Sequence, residues 1–571
     1  MNQAMQLETD ALIVGAGGAG MYAALEAAAG GASVILADRS LIGRGGATVM
    51  AMMTVSAAIG AQCPDHWEHH LADTLTAGHG LCDEHLSAIL CEDAPIRILE
   101  MDAWKVGWAR EDGHIKQAQA PGHDRPRCVY VDFLRTGPAV SKTLRSRVID
   151  VPAIRRIGDL FIVDIAVEDG VACGATAIHM QTGEPVVIAA KAVVIATGGL
   201  TRLYRRNSAS LNMGGDGYAL ALRAGAQLID MEFVQFFPIG HLAPRLVGLD
   251  PIMWDPFRYK LGGVLLNGDM QEFEQRYAVD GGRNDGTYVL TRDLATYAIL
   301  KEVEAGRGSP AGGAFLSFKH VPEAELRRAF GPVIDTLAKN GIDLSRQPIE
   351  VAPIAHYHMG GVKVDTRFES AVPNLFACGE AVGGANGANR LSGNAITEAL
   401  VFGARAGRSA AAAAQAARQR WKPSASAAAL DLLRRRRRSG SANPAALIGR
   451  LQSVMMDKVG PFRIQAALDE AVIEIDAIAR TIGTDPMASG APFDPVLIDW
   501  LDLRNMVLVA RSVAVAARAR LESRGSHQRE DFPGLDPRWQ LNQIVRLTDG
   551  RLNLTPEPHS QHARPRAEVP A

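Results

Sequence analysis

Short apolar runs of strand length alternate with glycine turns and helical stretches from the start of the chain. Leu12 to Gly20 (LIVGAGGAG) predicts a buried strand running directly into a helix, and Ser33 to Asp38 predicts the second strand of a βαβ unit. A further strand is expected at Ala192 to Gly199 (AVVIATGG), ending in a turn of small residues. Between Met231 and about Ala352 the pattern changes, with more aromatics, loops and charge, which suits an inserted domain. Phe376 to Glu380 (FACGE) then reads as a strand returning to the first domain. From about Ser424 to Glu522 the chain is rich in Ala, Arg and Leu and predicts a separate helix bundle. The stretch from Thr555 is rich in Pro, Arg and His and reads as disordered. No internal repeat stands out.

Composition narrows the class. With 571 residues, 47% of them hydrophobic and 21% charged, the chain has the make-up of a globular protein of several domains. A formal net charge of −2 gives no support for nucleic acid or a membrane surface as the main partner. No uninterrupted apolar run reaches the roughly 18 residues of a membrane span. The opening MNQAMQLETD lacks a basic stretch followed by a long apolar core, so no secretory signal is read. The cysteines at 63, 82, 91, 128, 173 and 378 form no CxxC or CxxCH pattern, which removes support for disulfides, structural zinc, covalent haem or an iron–sulfur cluster. No metal ligand set is expected, and a reducing, cytoplasmic setting fits best. If the chain moves electrons, they enter or leave through something outside it.

Two motifs carry candidate chemistry. In GAGGAG the glycines at 15, 17 and 20 allow a tight turn and close approach of a pyrophosphate to a helix N-terminus, and Asp38, eighteen residues after Gly20, stands where a carboxylate accepts ribose hydroxyls. An ordinary strand–turn–helix is the bland alternative, but the glycine triplet, the aspartate and their order agree. The second motif, Ala377 to Gly403 (ACGEAVGGANGANRLSGNAITEALVFG), places Arg390 among glycines and asparagines just before an apolar helix, a junction that offers backbone N–H groups and a guanidinium to an anion. The run Arg434 to Arg438 reads as a solvated helix end, or else as a docking point for an acidic protein.

The order of segments resembles one family along nearly the whole chain: the flavoprotein subunits of succinate dehydrogenase and fumarate reductase, with L-aspartate oxidase and adenylylsulfate reductase as relatives. The resemblance rests on Asp65 to Glu84 (DHWEHHLADTLTAGHGLCDE), Gly214 to Pro238 (GGDGYALALRAGAQLIDMEFVQFFP), GGVLLN at Gly262, TRDLATYAI at Thr291, HYHMGG at His356 and Leu521 to Asp536 (LESRGSHQREDFPGLD). It implies an α/β fold: a Rossmann-like FAD-binding domain in two parts (1–232 and 352–415), an inserted α+β capping domain (233–351), a helical domain (424–522) and a C-terminal segment (523–571). The activity implied is transfer of a hydride between flavin N5 and one carbon of a C–C bond beside a carboxylate, with a proton moving at the neighbouring carbon. The resemblance assigns that proton to Arg292. An arginine is a poor acid alone, since its pKa exceeds about 12, so it needs a relay; WDPFR supplies Asp255 and Arg258, where the family has glutamate and arginine. A plain surface ion pair is the alternative for those two. His356 and Arg390 match the residues that hold one substrate carboxylate. Gly15, Gly17, Gly20, Asp38, Gly46, Gly199, Asp216 and Glu380 match FAD contacts, whereas His66, His69, His70 and His123 match no catalytic position and read as surface or packing residues.

Two departures from the family bear on function. Where it presents a histidine and a threonine to the second carboxylate, this chain has Phe237 and Trp254. Burying a carboxylate against them without donors costs several kcal/mol, so a monocarboxylate with a bulky, less polar far end is expected, unless His241 or His358 has moved into place. No histidine occurs between Asp38 and Asp65, where membrane-complex members attach FAD covalently, and non-covalent FAD is expected. RGGA at Arg44 to Ala47 is closer to the adenylylsulfate reductase loop. The leading reading is a cytoplasmic FAD enzyme acting on CH–CH bonds, with a separate iron–sulfur protein as electron partner. A soluble oxidase similar to L-aspartate oxidase, or a flavin electron-transfer subunit whose substrate site has decayed, are the alternatives.

Overall fold

In a computed structural model the described residues are 4–132, 134–246, 252–277, 288–331, 333–437 and 442–559, with the side chains of 256 and 288–293 outside the description. The chain divides into two compact units: Met1–Arg205, Ala209–Val234 and Tyr357–Ala571 form the larger, and Arg206–Ser208 with Gln235–His356 the smaller.

The larger unit is built on a seven-stranded sheet. Met5–Val14 lies at its middle, paired in parallel with Val34–Ala37 on one side and Pro185–Ile195 on the other. Ile154–Ile157 extends the first side in parallel, while Val171–His179 and Leu160–Glu168 add antiparallel strands beyond Pro185–Ile195. Leu375–Ala377 also pairs with Pro185–Ile195, in parallel. The central strands are continuous apolar runs because both faces are covered, and Ala11 to Ile13 and Ala192 to Ile195 are fully buried. The helices Gly18–Ala29 and Asn394–Ala416 lie close together, since Gly403 and Gly407 sit so near the first helix that a Cβ on either would fall within 2.5 or 2.3 Å of a backbone oxygen there.

The expected C-terminal helices are present as Pro423–Arg434, Pro444–Lys458, Gln465–Ile482 and Pro495–Ala519. The last is tied to the sheet domain by buried charge: Asp502 bonds Arg39 at 2.5 Å and Arg202 at 2.7 Å. The chain then re-enters a small sheet as the hairpin Leu541–Thr548 and Arg551–Pro558. Thr555 to Pro558 are therefore strand rather than the start of a tail. Antiparallel pairing with residues 541–544 satisfies backbone groups that the local composition left unassigned.

The smaller unit carries a four-stranded sheet in the order Val264–Leu266, Ala314–Ser317, Ile349–His358, Val234–Ala243. Its helices include Asp255–Leu261, which opens with Pro256 in the first turn and stops at Gly262 with φ 66°, the left-handed conformation that favours glycine. Among the described residues no helix is long and apolar enough to cross a membrane, and no group of His, Cys, Asp and Glu is arranged to hold a metal ion.

Candidate active site

The nucleotide end of the larger unit is shaped by its glycines. Gly15 has φ 102°, and a Cβ there would fall 2.4 Å from the Ala196 carbonyl oxygen; one on Gly20 would fall 1.8 Å from the carbonyl oxygen of Gly15. These two positions close the strand–helix turn, whereas in front of Gly17 and Gly46 there is open space out to 4 Å. The N-cap residues of the helices starting at Gly18 and Asn394, Gly17 and Gly393, supply no side-chain cap. Among the described residues only the Gly18 N–H there meets a side chain from elsewhere, the Thr48 hydroxyl at 3.2 Å. Asp38 follows the Val34–Ala37 strand and ties the turn together, its Oδ2 accepting from the Ala16 N–H at 2.7 Å and its Oδ1 from Ser40 N–H at 2.7 Å. Gly199 lies against Glu380, whose Oε1 a Cβ would meet at 2.2 Å, and the neighbouring Thr197 hydroxyl is buried with no hydrogen-bond partner among the described residues. Open backbone, helix starts without a capping side chain at the N-cap, and an orphaned hydroxyl fit a dinucleotide in extended form.

Asp216 begins the Asp216–Ala224 helix and is engaged from behind, accepting from Arg39 at 3.0 Å and Asn505 at 3.2 Å. Burial pushes its carboxyl up, and the Arg39 guanidinium pulls it back. Glu380 accepts from the His358 N–H at 3.1 Å, and burial raises its carboxyl to about 8.

Arg390 is 6% exposed; its guanidinium lies over the Tyr357 ring at 4.5 Å, and its Nη1 donates to the Leu391 carbonyl at 3.0 Å. The Tyr357 hydroxyl in turn donates to the fully buried Glu398 at 2.7 Å. His358 is also buried: its ring nitrogens contact the Tyr218 hydroxyl at 3.0 Å and the Met231 carbonyl at 3.1 Å, and burial lowers its pKa to about 3. The resulting neutral imidazole has both nitrogens in use. His70 and His123 are interior residues supporting the same loop, at 2.8 Å from Asn394 Oδ1 and 2.6 Å from the Ser392 carbonyl. Within the arginine run, Arg434, Arg435 and Arg437 pair with Asp431 and Asp485; Arg438 lies outside the described residues.

The smaller unit holds the other candidates. Trp254 is fully buried, its ring 6.1 Å from that of Phe318 and 5.8 Å from that of Phe330. Its indole N–H donates to His241 Nδ1 at 3.3 Å, and His241 Nε2 donates to the Pro244 carbonyl at 2.6 Å. Burial lowers the His241 pKa as well. Phe237, on the Val234–Ala243 strand, meets the His356 ring edge-on at 4.3 Å, and His356 Nδ1 lies 2.7 Å from the Ser208 hydroxyl.

Asp255 and Arg258 occupy the first turn of Asp255–Leu261, three residues apart and therefore on one face, and both are buried, at 0% and 7% exposure. A solvent-facing ion pair does not describe them. Arg258 pairs with Glu274 and donates to the Gly263 carbonyl at 3.3 Å and the Tyr259 hydroxyl at 3.1 Å. Arg292 falls on the Tyr288–Glu304 helix, and its side chain lies outside the described residues. Sequence reasoning missed Glu274, Ser208, Tyr357 and Glu398. The last two were within reach, since Tyr357 follows His356 in HYHMGG and Glu398 sits in the same segment as Arg390.

The fold and its glycine-lined nucleotide end are those of a dinucleotide-binding protein. Residues 10–396 match the FAD binding domain family and residues 449–565 the fumarate reductase flavoprotein C-terminal family. The chain is 35% identical over 541 residues to a fumarate reductase (CoM/CoB) polypeptide of Methanothermobacter marburgensis, covering 94% of this chain and 97% of that protein. It is 32% identical to the fumarate reductase flavoprotein subunit of Escherichia coli K12, covering 91% of this chain and 89% of the other. Among solved structures, Mycobacterium smegmatis Sdh1 in complex with UQ1 superposes with a TM-score of 0.89 at 32% identity, covering 98% of this chain and 95% of that one. The chain belongs to the fumarate reductase/succinate dehydrogenase flavoprotein family and is an FAD-dependent oxidoreductase acting on CH–CH bonds. These relatives favour neither the oxidase nor the decayed electron-transfer protein.

Proposed function

We propose that this chain reduces or desaturates the C–C bond beside the carboxylate of a substrate whose far end is bulky and apolar, working in the cytoplasm with a separate iron–sulfur electron carrier. The observation that supports the substrate class is the lack of spare donors at the positions the family uses for a second carboxylate. Phe237 has none, the Trp254 N–H is spent on His241, and both ring nitrogens of His241 and of His358 are already engaged. A second carboxylate placed there would be desolvated without compensation, at a cost of several kcal/mol.

FAD, when bound, supplies the hydride donor or acceptor; Gly15, Gly17, Gly20, Asp38, Gly46, Gly199, Asp216 and Glu380 are the residues that would hold it. The absence of histidine between Asp38 and Asp65 supports non-covalent attachment. Arg390 anchors the substrate carboxylate through its fixed, planar guanidinium, with His356 as a second donor. Arg292 delivers or takes the proton at the neighbouring carbon. Asp255 and Arg258 connect it to solvent, and Glu274, paired with Arg258, adds a second carboxylate to that relay. An iron–sulfur partner is favoured because the cysteine spacing here provides no cluster ligands.

The test is a substrate panel assayed with a reduced dye as electron donor. Higher kcat/KM for aryl- or alkyl-substituted 2-enoic acids than for fumarate is expected. Fumarate or succinate turning over fastest would sink the altered-substrate reading.

A further inference from the structure

Two carboxyls share Arg390 as a neighbour: burial raises both Glu380 and Glu398, and the Arg390 guanidinium pulls both down. The Tyr357 ring under the guanidinium is locked in an apolar cluster with Leu81, Phe233, Met359 and Ala388, and its hydroxyl holds Glu398 Oε2 at 2.7 Å. The Asn386 amide donates to the same oxygen at 2.5 Å. The other carboxyl oxygen, Glu398 Oε1, and the Asn386 Oδ1 are both buried with no hydrogen-bond partner among the described residues. A proton on Glu398 Oε2 together with a flipped Asn386 amide would satisfy the amide oxygen, because the carboxyl then donates and the amide oxygen accepts, while Oε1 keeps its spare acceptor capacity. Glu380 is the second carboxyl acting on this cluster.

Among the described residues, the other neighbours of the Asn394–Ala416 helix have their charges paired elsewhere. On the helices packed against it, Asp93 is paired with Arg405, Arg97 with Glu26 and Glu100, and Arg408 with Glu26. The adjoining strand Val55–Ser56 brings only the Ser56 hydroxyl, bonded to Asn394. From the sheet beneath, Lys191 is paired with Asp10. Among the described residues the groups that face Glu398 are therefore Tyr357, Asn386, Arg390 and Glu380, with Tyr218 bonded to the Glu380 carbonyl.

We propose that Glu398 is the proton acceptor that offsets an anion arriving at Arg390, so that a substrate carboxylate binds together with one proton taken from solvent. The inference rests on the reading of Arg390 as the carboxylate anchor. An anion on that guanidinium withdraws the positive charge that favours ionised Glu398 and adds a negative charge nearby, and both effects raise the affinity of Glu398 for a proton. Burial already holds the carboxyl at about 7 before any anion binds, with Tyr357, Asn386 and Arg390 pulling it down. The sign follows. Below that value Glu398 is already protonated and binding takes up nothing; above it binding draws in a proton, and the carboxylate Kd weakens by up to about tenfold per pH unit. The dependence ends above the pKa of the bound state. Glu398 touches neither substrate nor flavin in this scheme and serves to balance charge.

Propionate, a monocarboxylate with no reducible bond, is the probe. It is titrated into the oxidised holoenzyme while the flavin absorbance reports binding and a pH-indicator dye in weak buffer reports protons. Uptake approaching one proton per site at pH 8, vanishing near pH 6, is expected; binding without uptake at pH 8 overturns the inference. Glu398→Gln, which imitates the protonated acid, should bind propionate at pH 8 as tightly as the unmodified enzyme does at pH 6, and without uptake. Uptake that persists in Glu398→Gln, or that disappears instead in Glu380→Gln, assigns the proton elsewhere. Tyr357→Phe keeps the ring under Arg390 but removes a donor to Glu398, so the uptake window should move to higher pH. An unchanged window speaks against this cluster even if Glu398→Gln loses its flavin. Arg390→Gln separates the two ideas: undiminished propionate binding there, or no propionate binding to the unmodified enzyme, removes the anchor reading itself.

Discussion

The two units treat buried polarity in opposite ways. Around Arg390 the larger unit sets a guanidinium, two tyrosine hydroxyls and two carboxyls in an apolar frame, leaving Glu398 Oε1 with acceptor capacity to spare. The smaller unit instead closes its polar atoms on one another: Trp254 on His241, His241 on Pro244, Arg258 on Glu274. A region that keeps unspent polar capacity can respond to a charged ligand, whereas one that has spent it offers shape and apolar surface. The first has the make-up of a region that can recognise an anion, and the second that of an apolar, shape-selective one.

The largest effect should come from removing the responsive side. Arg390→Gln is expected to lower kcat/KM by about a thousandfold, the usual scale for losing a buried charged partner of an anion, while flavin content stays near that of the unmodified protein. Steady-state assays with the preferred substrate check it. A loss of tenfold or less would mean that Arg390 is not the anchor and that the contrast between the units is misplaced.

Trp254→Ala probes the closed side. It removes a wholly buried indole and leaves His241 Nδ1 without its donor, so the smaller unit should lose about 3–5 kcal/mol of stability. Denaturant unfolding and limited proteolysis would show this, with cleavage concentrated within 235–356. If stability is unchanged, Trp254 is not the core residue that its contacts with Phe318 and Phe330 indicate.

Much of this contrast was legible in the chain. The glycine triplet, Asp38, the returning strands and the C-terminal helices follow from local pattern, because strand–turn–helix junctions are encoded over a dozen neighbouring residues. Arg390 was legible for the same reason. The partners were not, since they come from distant segments: Asp502 reaches Arg39 and Arg202 across most of the chain, and Glu274 meets Arg258 through a turn that no periodicity announces. The hairpin ending at Pro558 was missed because its proline-rich strand owes its form to pairing with Leu541–Thr548 rather than to its own propensity. Phe237 and Trp254 were visible as departures, yet their environments were not, and it is the engagement of His241 that gives the departures weight.

Phe237→His should reopen the closed side. The new imidazole would stand where the ring now meets His356 edge-on, on a partly exposed stretch of strand, so it would keep a nitrogen available. KM for fumarate should fall by about tenfold, the worth of one added hydrogen bond to a charged group, while an aryl-substituted 2-enoic acid should lose affinity. A gain for fumarate with no loss for the apolar acid would show that the position contacts only the second carboxylate.

The smallest effect tests whether the closed side also orients groups for catalysis. The Ser208 hydroxyl lies 2.7 Å from His356 Nδ1, and a hydroxyl there holds how the ring is turned, donating or accepting according to the tautomer. Ser208→Ala leaves the Phe237 ring contact in place, so the imidazole should remain packed but lose the hydrogen bond that orients it. The expected outcome is about a threefold fall in kcat with KM nearly constant, on the scale of a fraction of one neutral hydrogen bond. Steady-state kinetics on the best substrate would resolve it. A rise in KM at constant kcat would instead make His356 a plain binding group, and the smaller unit's contribution would then be confined to shape.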